Sequence, residues 1–274
     1  LKFLDPACGC GNFLVITYRE LRLLELEVLK ALNPDKQLKL NISMIVLLDV
    51  DMMAGIEYEE FPARIAEVAM WLIDHQMNMA ISAEFGDYFV RLPLQKSAKI
   101  IHGNALRVNW EEVVPKTELS YIIGNPPFIG HHIQNESQKK DLYFALTGIK
   151  AAGVMDYVTA WYIKAAQYIQ ETNIKVAFVS TNSIVQGEQV SILWGQMLHK
   201  YNIKIHFAHR TFKWSNEAKG NAAVYCVIVG FANFDTTNKY IFDYEDIKGE
   251  AHEIKSKNIN PYLVDAKDIL IENR

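Results

Sequence analysis

The run Asp5-Pro6-Ala7-Cys8-Gly9-Cys10-Gly11-Asn12-Phe13 limits what this chain can fold into more than any other stretch. It joins an apolar, strand-like segment, Leu1 to Leu4, to an amphipathic helical pattern from about Phe13 to Leu32. Glycine tolerates positive φ and close backbone approach, so this turn's amides and the following helix N-terminus can hold a carboxylate or a phosphate. A domain seldom opens inside its first strand, and the chain therefore looks cut at its N-terminus.

The same alternation continues downstream. Strands are predicted at Met53 to Glu57, Lys99 to His102, Tyr121 to Gly124, Lys175 to Ser180, Ile203 to Ala208 and Ala222 to Phe231. Helices are predicted with Pro62 near the first turn, where Ile65, Val68, Ala69 and Leu72 recur at helical spacing, and at Tyr157 to Gln170 and Ile192 to Tyr201. Strands alternating with helices imply an α/β fold, a three-layer sandwich with a mostly parallel central sheet. Residues 1–231 are expected to form a catalytic domain, and 232–274 an extension toward a further module.

Half of the 274 residues are hydrophobic and 22% are charged, the balance of a folded protein. Neither a membrane-length apolar run nor a signal peptide is visible, so a cytoplasmic, prokaryotic protein is the expectation. No second Cys or His pair at ligand spacing accompanies Cys8 and Cys10, and no metal is expected. His131 and His132 are expected to diverge as polar residues facing a ligand. The net charge of −4 offers little for phosphate binding.

Chemistry concentrates at strand ends. Asp5 can hold an ammonium group beside loop amides that hold a carboxylate, a combination suited to an amino-acid tail such as that of methionine. A Walker loop would need Gly-Lys-Ser/Thr, which is missing. Glu57 stands where doubly wound folds place an acid against ribose hydroxyls, although a solvated strand-end acid is the plainer alternative. Asn104 can donate to and accept from an adenine edge, or simply cap a turn. Asn125-Pro126-Pro127-Phe128 follows the fourth strand directly. An exocyclic amine such as adenine's is a poor nucleophile because its lone pair is delocalised into the ring. Acceptors at Asn125 Oδ1 and the Pro126 carbonyl, the latter held by adjacent prolines, would draw that nitrogen toward tetrahedral geometry. Phe128 supplies a flat face for a base swung out of a duplex.

Together these strings resemble the class I S-adenosylmethionine-dependent amino-methyltransferases. Asp5 to Phe13 is similar to their D-P-A-C-G-S-G cofactor loop, with Cys10 in the serine slot. Asn125 to Phe128 is similar to the N-P-P-aromatic tetrad of N6-adenine DNA methyltransferases, in the gamma order of motifs. The likeness is closest to the MmeI-like bifunctional type II restriction-modification enzymes, through Gly55-Ile56-Glu57, Glu60 to Ala66, His102 to Leu106, Asp156-Tyr157-Val158 and Thr211 to Ala223.

That resemblance implies S-adenosylmethionine as cofactor, bound by Asp5, Ala7, Cys8, Gly9, Gly11, Asn12, Phe13, Glu57, Tyr58, Asn104, Ala105, Asn125 and Tyr157, with Asp156 beside them. It implies Asn125, Pro126, Pro127 and Phe128 as the catalytic group. Phe128, His131, Phe212 and Asn221 would meet the target base. Double-stranded DNA is the implied partner, recognised mainly through a region outside this chain. Cytosine N4, a protein glutamine, or cofactor binding without catalysis remain alternatives; a dehydrogenase does not, because the last glycine of G-x-G-x-x-G is missing.

Overall fold

The computed structural model describes residues 1–34, 45–86, 97–214, 224–247 and 249–271, in two compact units, Leu1–Leu119 and Ser120–Arg274. In the first unit, strands β1 (Phe3–Asp5), β2 (Met53–Glu57) and β3 (Lys99–His102) run parallel with β2 in the middle, Leu4 opposite Ala54 and Ile56 opposite Ile101. Helices α1 (Asn12–Leu32) and α2 (Glu60–Phe85) pack against each other, and a short α3 (Trp110–Val113) follows β3. Left-handed Gly11 starts α1 and left-handed Gly86 ends α2, conformations that cost glycine little.

The two helices meet through a polar seam as well as an apolar one. Arg22 is fully buried; its Nη1 donates to Tyr18 Oη (2.6 Å) and Asp74 Oδ1 (3.2 Å), and its Nη2 to Asn78 Oδ1 (2.8 Å). Tyr18 Oη donates in turn to Asp74 Oδ1 (2.6 Å) and Asn78 Nδ2 to Asp74 Oδ2 (3.1 Å). Asp74 and Asn78 share their buried helix face with Ala63, Ala66 and Met70. Ile65, Val68 and Leu72 lie on the exposed side of α2. Their spacing marked a helix, whereas the buried face mixes small, apolar and mutually satisfied polar groups.

In the second unit the sheet order is β4-β5-β7-β6-β8-β9, from β4 (Tyr121–Gly124), β5 (Lys175–Thr181), β6 (Lys204–Trp214), β7 (Val224–Ala232), β8 (Lys239–Asp243) and β9 (His252–Ser256). β4 pairs in parallel with β5, and β6 with β8; β7 runs antiparallel to both β5 and β6. Residues beyond Phe231 thus continue this sheet. Helix α5 (Thr159–Tyr168) is buried along most of its length, and Tyr162 packs on Phe178, Trp194 and Phe231. Two further helices, α4 (Glu136–Ala145) and α6 (Glu188–Gly195), flank it in sequence. α4 lies in a stretch that reads as merely polar, but Asn135 and Gln138 form a reciprocal capping box at its start.

Candidate active site

In the first unit the expected ligand-binding residues gather at the carboxyl ends of the parallel strands. Asp5 closes β1, almost fully buried, with Oδ1 accepting the Ala7 amide at 2.9 Å. Burial pushes its carboxyl up to about 7, and the negative charge of Glu57 adds to the effect, against the lowering contribution of the Ala7 amide. Glu57 closes β2. Its Oε2 accepts the Gly9 amide at 2.8 Å and its Oε1 the Glu59 amide at 2.9 Å. Glu57 is therefore a clamp on the glycine turn, and the Gly9 amide, expected to face a ligand, already has a partner. The amides of α1's first turn remain without intrahelical acceptors, and among the described residues no side chain caps them.

The turn itself fits closely. A Cβ on Gly55 would stand 2.7 Å from Cys8 Sγ, so only glycine lets Cys8 lie against β2; burial drives the Cys8 thiol strongly upward and keeps it protonated. A Cβ on Gly11 would meet Ala66 Cβ at 3.1 Å, whereas Gly9, also at positive φ, faces open space. Asn104 follows β3 and its Oδ1 accepts the Leu106 amide at 2.9 Å, the turn-capping role. Ala105 is buried and its carbonyl accepts Trp110 Nε1. Asn12 and Tyr58 are exposed and Phe13 half-buried.

In the second unit Asn125 follows β4 directly. Its Oδ1 is buried and has no hydrogen-bond partner among the described residues. Pro126 is buried, Pro127 exposed and Phe128 half-buried. Sequence reasoning had not foreseen how firmly the segment after the tetrad is braced. Asp156 Oδ1 accepts the His131 amide (3.3 Å) and its Oδ2 the Ser183 hydroxyl (2.5 Å). The Tyr157 amide donates to the Ile129 carbonyl (2.9 Å), and Gln134 Nε2 ties Ile129 to Met155. The Tyr157 ring turns away to pack on Trp161, with its hydroxyl toward Asp141. His131 and His132 do not diverge: a 3-10 turn brings their rings to 3.6 Å. Phe212 lies near the carboxyl end of β6, on the same sheet edge as the tetrad, since Gly124 pairs with Phe178 and Ala208 is in line through Val229. Asn221 lies outside the described residues.

Comparison with known proteins gives the same family from three directions. The family of MmeI DNA-methyltransferase domains matches residues 1–243. The chain belongs to this family. DNA methyltransferase A of Bacillus subtilis (strain 168) is 44% identical over 279 residues, covering 100% of this chain and 30% of that protein. The type IIL restriction-modification enzyme MmeI, solved in complex with DNA, is 56% identical with a TM-score of 0.95, over 100% of this chain and 37% of MmeI. This MmeI-type chain thus spans about a third of the length of these relatives. A Listeria monocytogenes protein assigned to class I of the S-adenosylmethionine-dependent methyltransferases, at 12% identity over 91% of this chain and 60% of its own, shares the fold with a TM-score of 0.51. The fold is the α/β class I methyltransferase fold, as expected. Among the described residues no helix is long and apolar enough to cross a membrane.

Proposed function

We propose that this chain methylates the N6 amino group of adenine in double-stranded DNA, using S-adenosylmethionine, as the modification part of a restriction-modification enzyme. The observation that carries this reading is the buried, unpartnered Asn125 Oδ1 beside two prolines and a phenylalanine. Leaving such an acceptor unsatisfied costs about 1–3 kcal/mol, a defect that a donor on a bound substrate removes. Asn125 Oδ1 accepts one N–H of the amine and the Pro126 carbonyl the other, which returns the nitrogen lone pair to reactivity. Phe128 stacks on the base, and no covalent enzyme intermediate is needed. Asparagine at the first position of the tetrad favours adenine, where serine would favour cytosine.

The N-terminal unit fits the cofactor. The buried Asp5 carboxyl suits an ammonium group, the uncapped α1 N-terminus a carboxylate, and Glu57 ribose hydroxyls, while the open space at Gly9 admits the group itself. Asn104 and Ala105 would border its adenine, and Ala7, Cys8, Gly11, Asn12, Phe13 and Tyr58 complete this unit's set. S-adenosylmethionine, when bound, supplies an electrophilic methyl group on its sulfonium. DNA is carried over as partner from the MmeI complex.

Asp5 gives this assignment a pH signature. Because burial raises its folded-state pKa to about 7, the ligand-free protein holds a proton that the unfolded chain releases near 3.8. The stability this contributes is full below 3.8 and is lost as pH rises through about 7. An ammonium ligand requires the ionised form, so binding expels that proton. Calorimetric titration with S-adenosylhomocysteine should show proton release at pH 6 and an affinity about tenfold weaker there than at pH 8, one pKa unit being about 1.4 kcal/mol. Asp5→Asn should flatten the dependence, and Glu57→Ala should weaken binding by about 1–3 kcal/mol. Undiminished affinity in both variants would remove the cofactor assignment.

A further inference from the structure

We propose that His209 and Tyr244 are positioning residues that orient Phe212, the ring that the family resemblance sets against the target base; the inference rests on the methyltransferase reading above and on that resemblance. A strand alternates its side chains, so residues three apart point to opposite faces. In β6, however, His209 pairs with Ile228 and Phe212 with Cys226, so that two residues, Arg210 and Thr211, stand on one strand against one, Val227, on the other. The extra residue is a β-bulge, which re-aims whatever follows it. As a result His209 and Phe212 come to one face, their ring centroids 6.5 Å apart, and both meet Tyr244, at 6.1 Å and 5.5 Å.

The support behind Phe212 is specific. Tyr244 Oη and His209 Nδ1 share a hydrogen bond of 2.8 Å. The His209 imidazole stacks flat on Phe242, its neighbour in register on β8, at 4.3 Å and 9°. Burial lowers the pKa of His209, which suits a neutral ring in this stack. On either side the strand is pinned: Arg210 pairs with Asp243 at 2.7 Å, and the Lys213 amide donates to the Ile247 carbonyl at 2.9 Å. The segment from Asp243 to Ile247 therefore runs as a strap along the bulge and sets the ring plane of Phe212, at the sheet edge that also carries Asn125 and Phe128. A ring stacked on an extruded base serves catalysis only if it is already oriented. Loss of that orientation lowers the turnover rate and leaves ground-state DNA binding in place.

A double-mutant cycle in the full-length protein tests this, with transfer of labelled methyl groups to long, unmodified amplified DNA as readout. Phe212→Leu should lower kcat about tenfold or more, the scale of one lost base-stacking contact. Tyr244→Phe keeps the ring and loses the hydrogen bond; it should lower kcat several-fold with KM for DNA, S-adenosylhomocysteine affinity and Tm unchanged. The double variant should be no slower than Phe212→Leu alone. Losses that multiply, or a parental kcat in Tyr244→Phe, would overturn the proposal. A parental rate in Phe212→Leu while Asn125→Ala is inactive would also overturn it, yet leave the methyltransferase reading standing. Undiminished transfer by Asn125→Ala, or none by the parental protein, would remove that reading and this inference with it.

Discussion

Asn125→Ala is expected to lower methyl transfer about a hundredfold or more, the usual result of deleting one preorganised hydrogen-bonding group that acts on developing charge. The substitution leaves the Pro126 carbonyl and Phe128 where they are, so the amine loses one of two acceptors and keeps its stacking surface. S-adenosylhomocysteine affinity should hardly change. Stability should stay equal or rise, because the deleted oxygen is buried and unpartnered in the free protein and costs about 1–3 kcal/mol there. Initial rates and melting curves measured on the same preparation separate these effects. A variant that loses stability in proportion to its activity would mean that Asn125 is structural.

The second large effect concerns folding. Arg22→Ala should destabilise the N-terminal unit by about 3–5 kcal/mol, because it removes the buried cation that faces the Asp74 carboxylate across the seam. Neither Arg22 nor Asp74 has water to fall back on, their side chains being 0% and 10% exposed. By contrast the Arg64–Glu67 pair on the outer face of α2 sits at 61% and 39% exposure, and Arg64→Ala should move stability by no more than about 1 kcal/mol. Chemical denaturation of both variants checks the contrast. Equal midpoint shifts would show that the buried network is not what joins α1 to α2.

What was legible in the sequence was whatever the backbone itself demands. The glycine turn after β1 and the Asn-Pro-Pro-Phe string after β4 announce themselves because few other residues satisfy those positions, and the strand ends that carry Asp5, Glu57 and Asn104 followed from them. Tertiary partnerships were not legible. Glu57 reads as a ligand-facing acid, but clamping Gly9 depends on a loop 48 residues away closing over it. Asp156 reads as a cofactor neighbour, and its bonds to His131 and Ser183 make it a brace. On α2 the apolar spacing marks the helix and not its buried side, because Asp74 and Asn78 are buried within the hydrogen-bonded network that they form with Tyr18 and Arg22. The strand expected to stop at Ala208 runs on to Trp214. His209, Arg210 and Thr211 break the alternation there, which is how a bulge looks before its partner strand is known.

In the proposed reaction this chain's asparagine and prolines act on an adenine amine. The most direct measurement incubates the full-length protein with unmodified DNA and S-adenosylmethionine labelled in its methyl group, digests the DNA to nucleosides and identifies the labelled one. Label in N6-methyladenine, abolished by Asn125→Ala, is the expected result. Label in N4-methylcytosine, or none in DNA although the cofactor is bound, would contradict it.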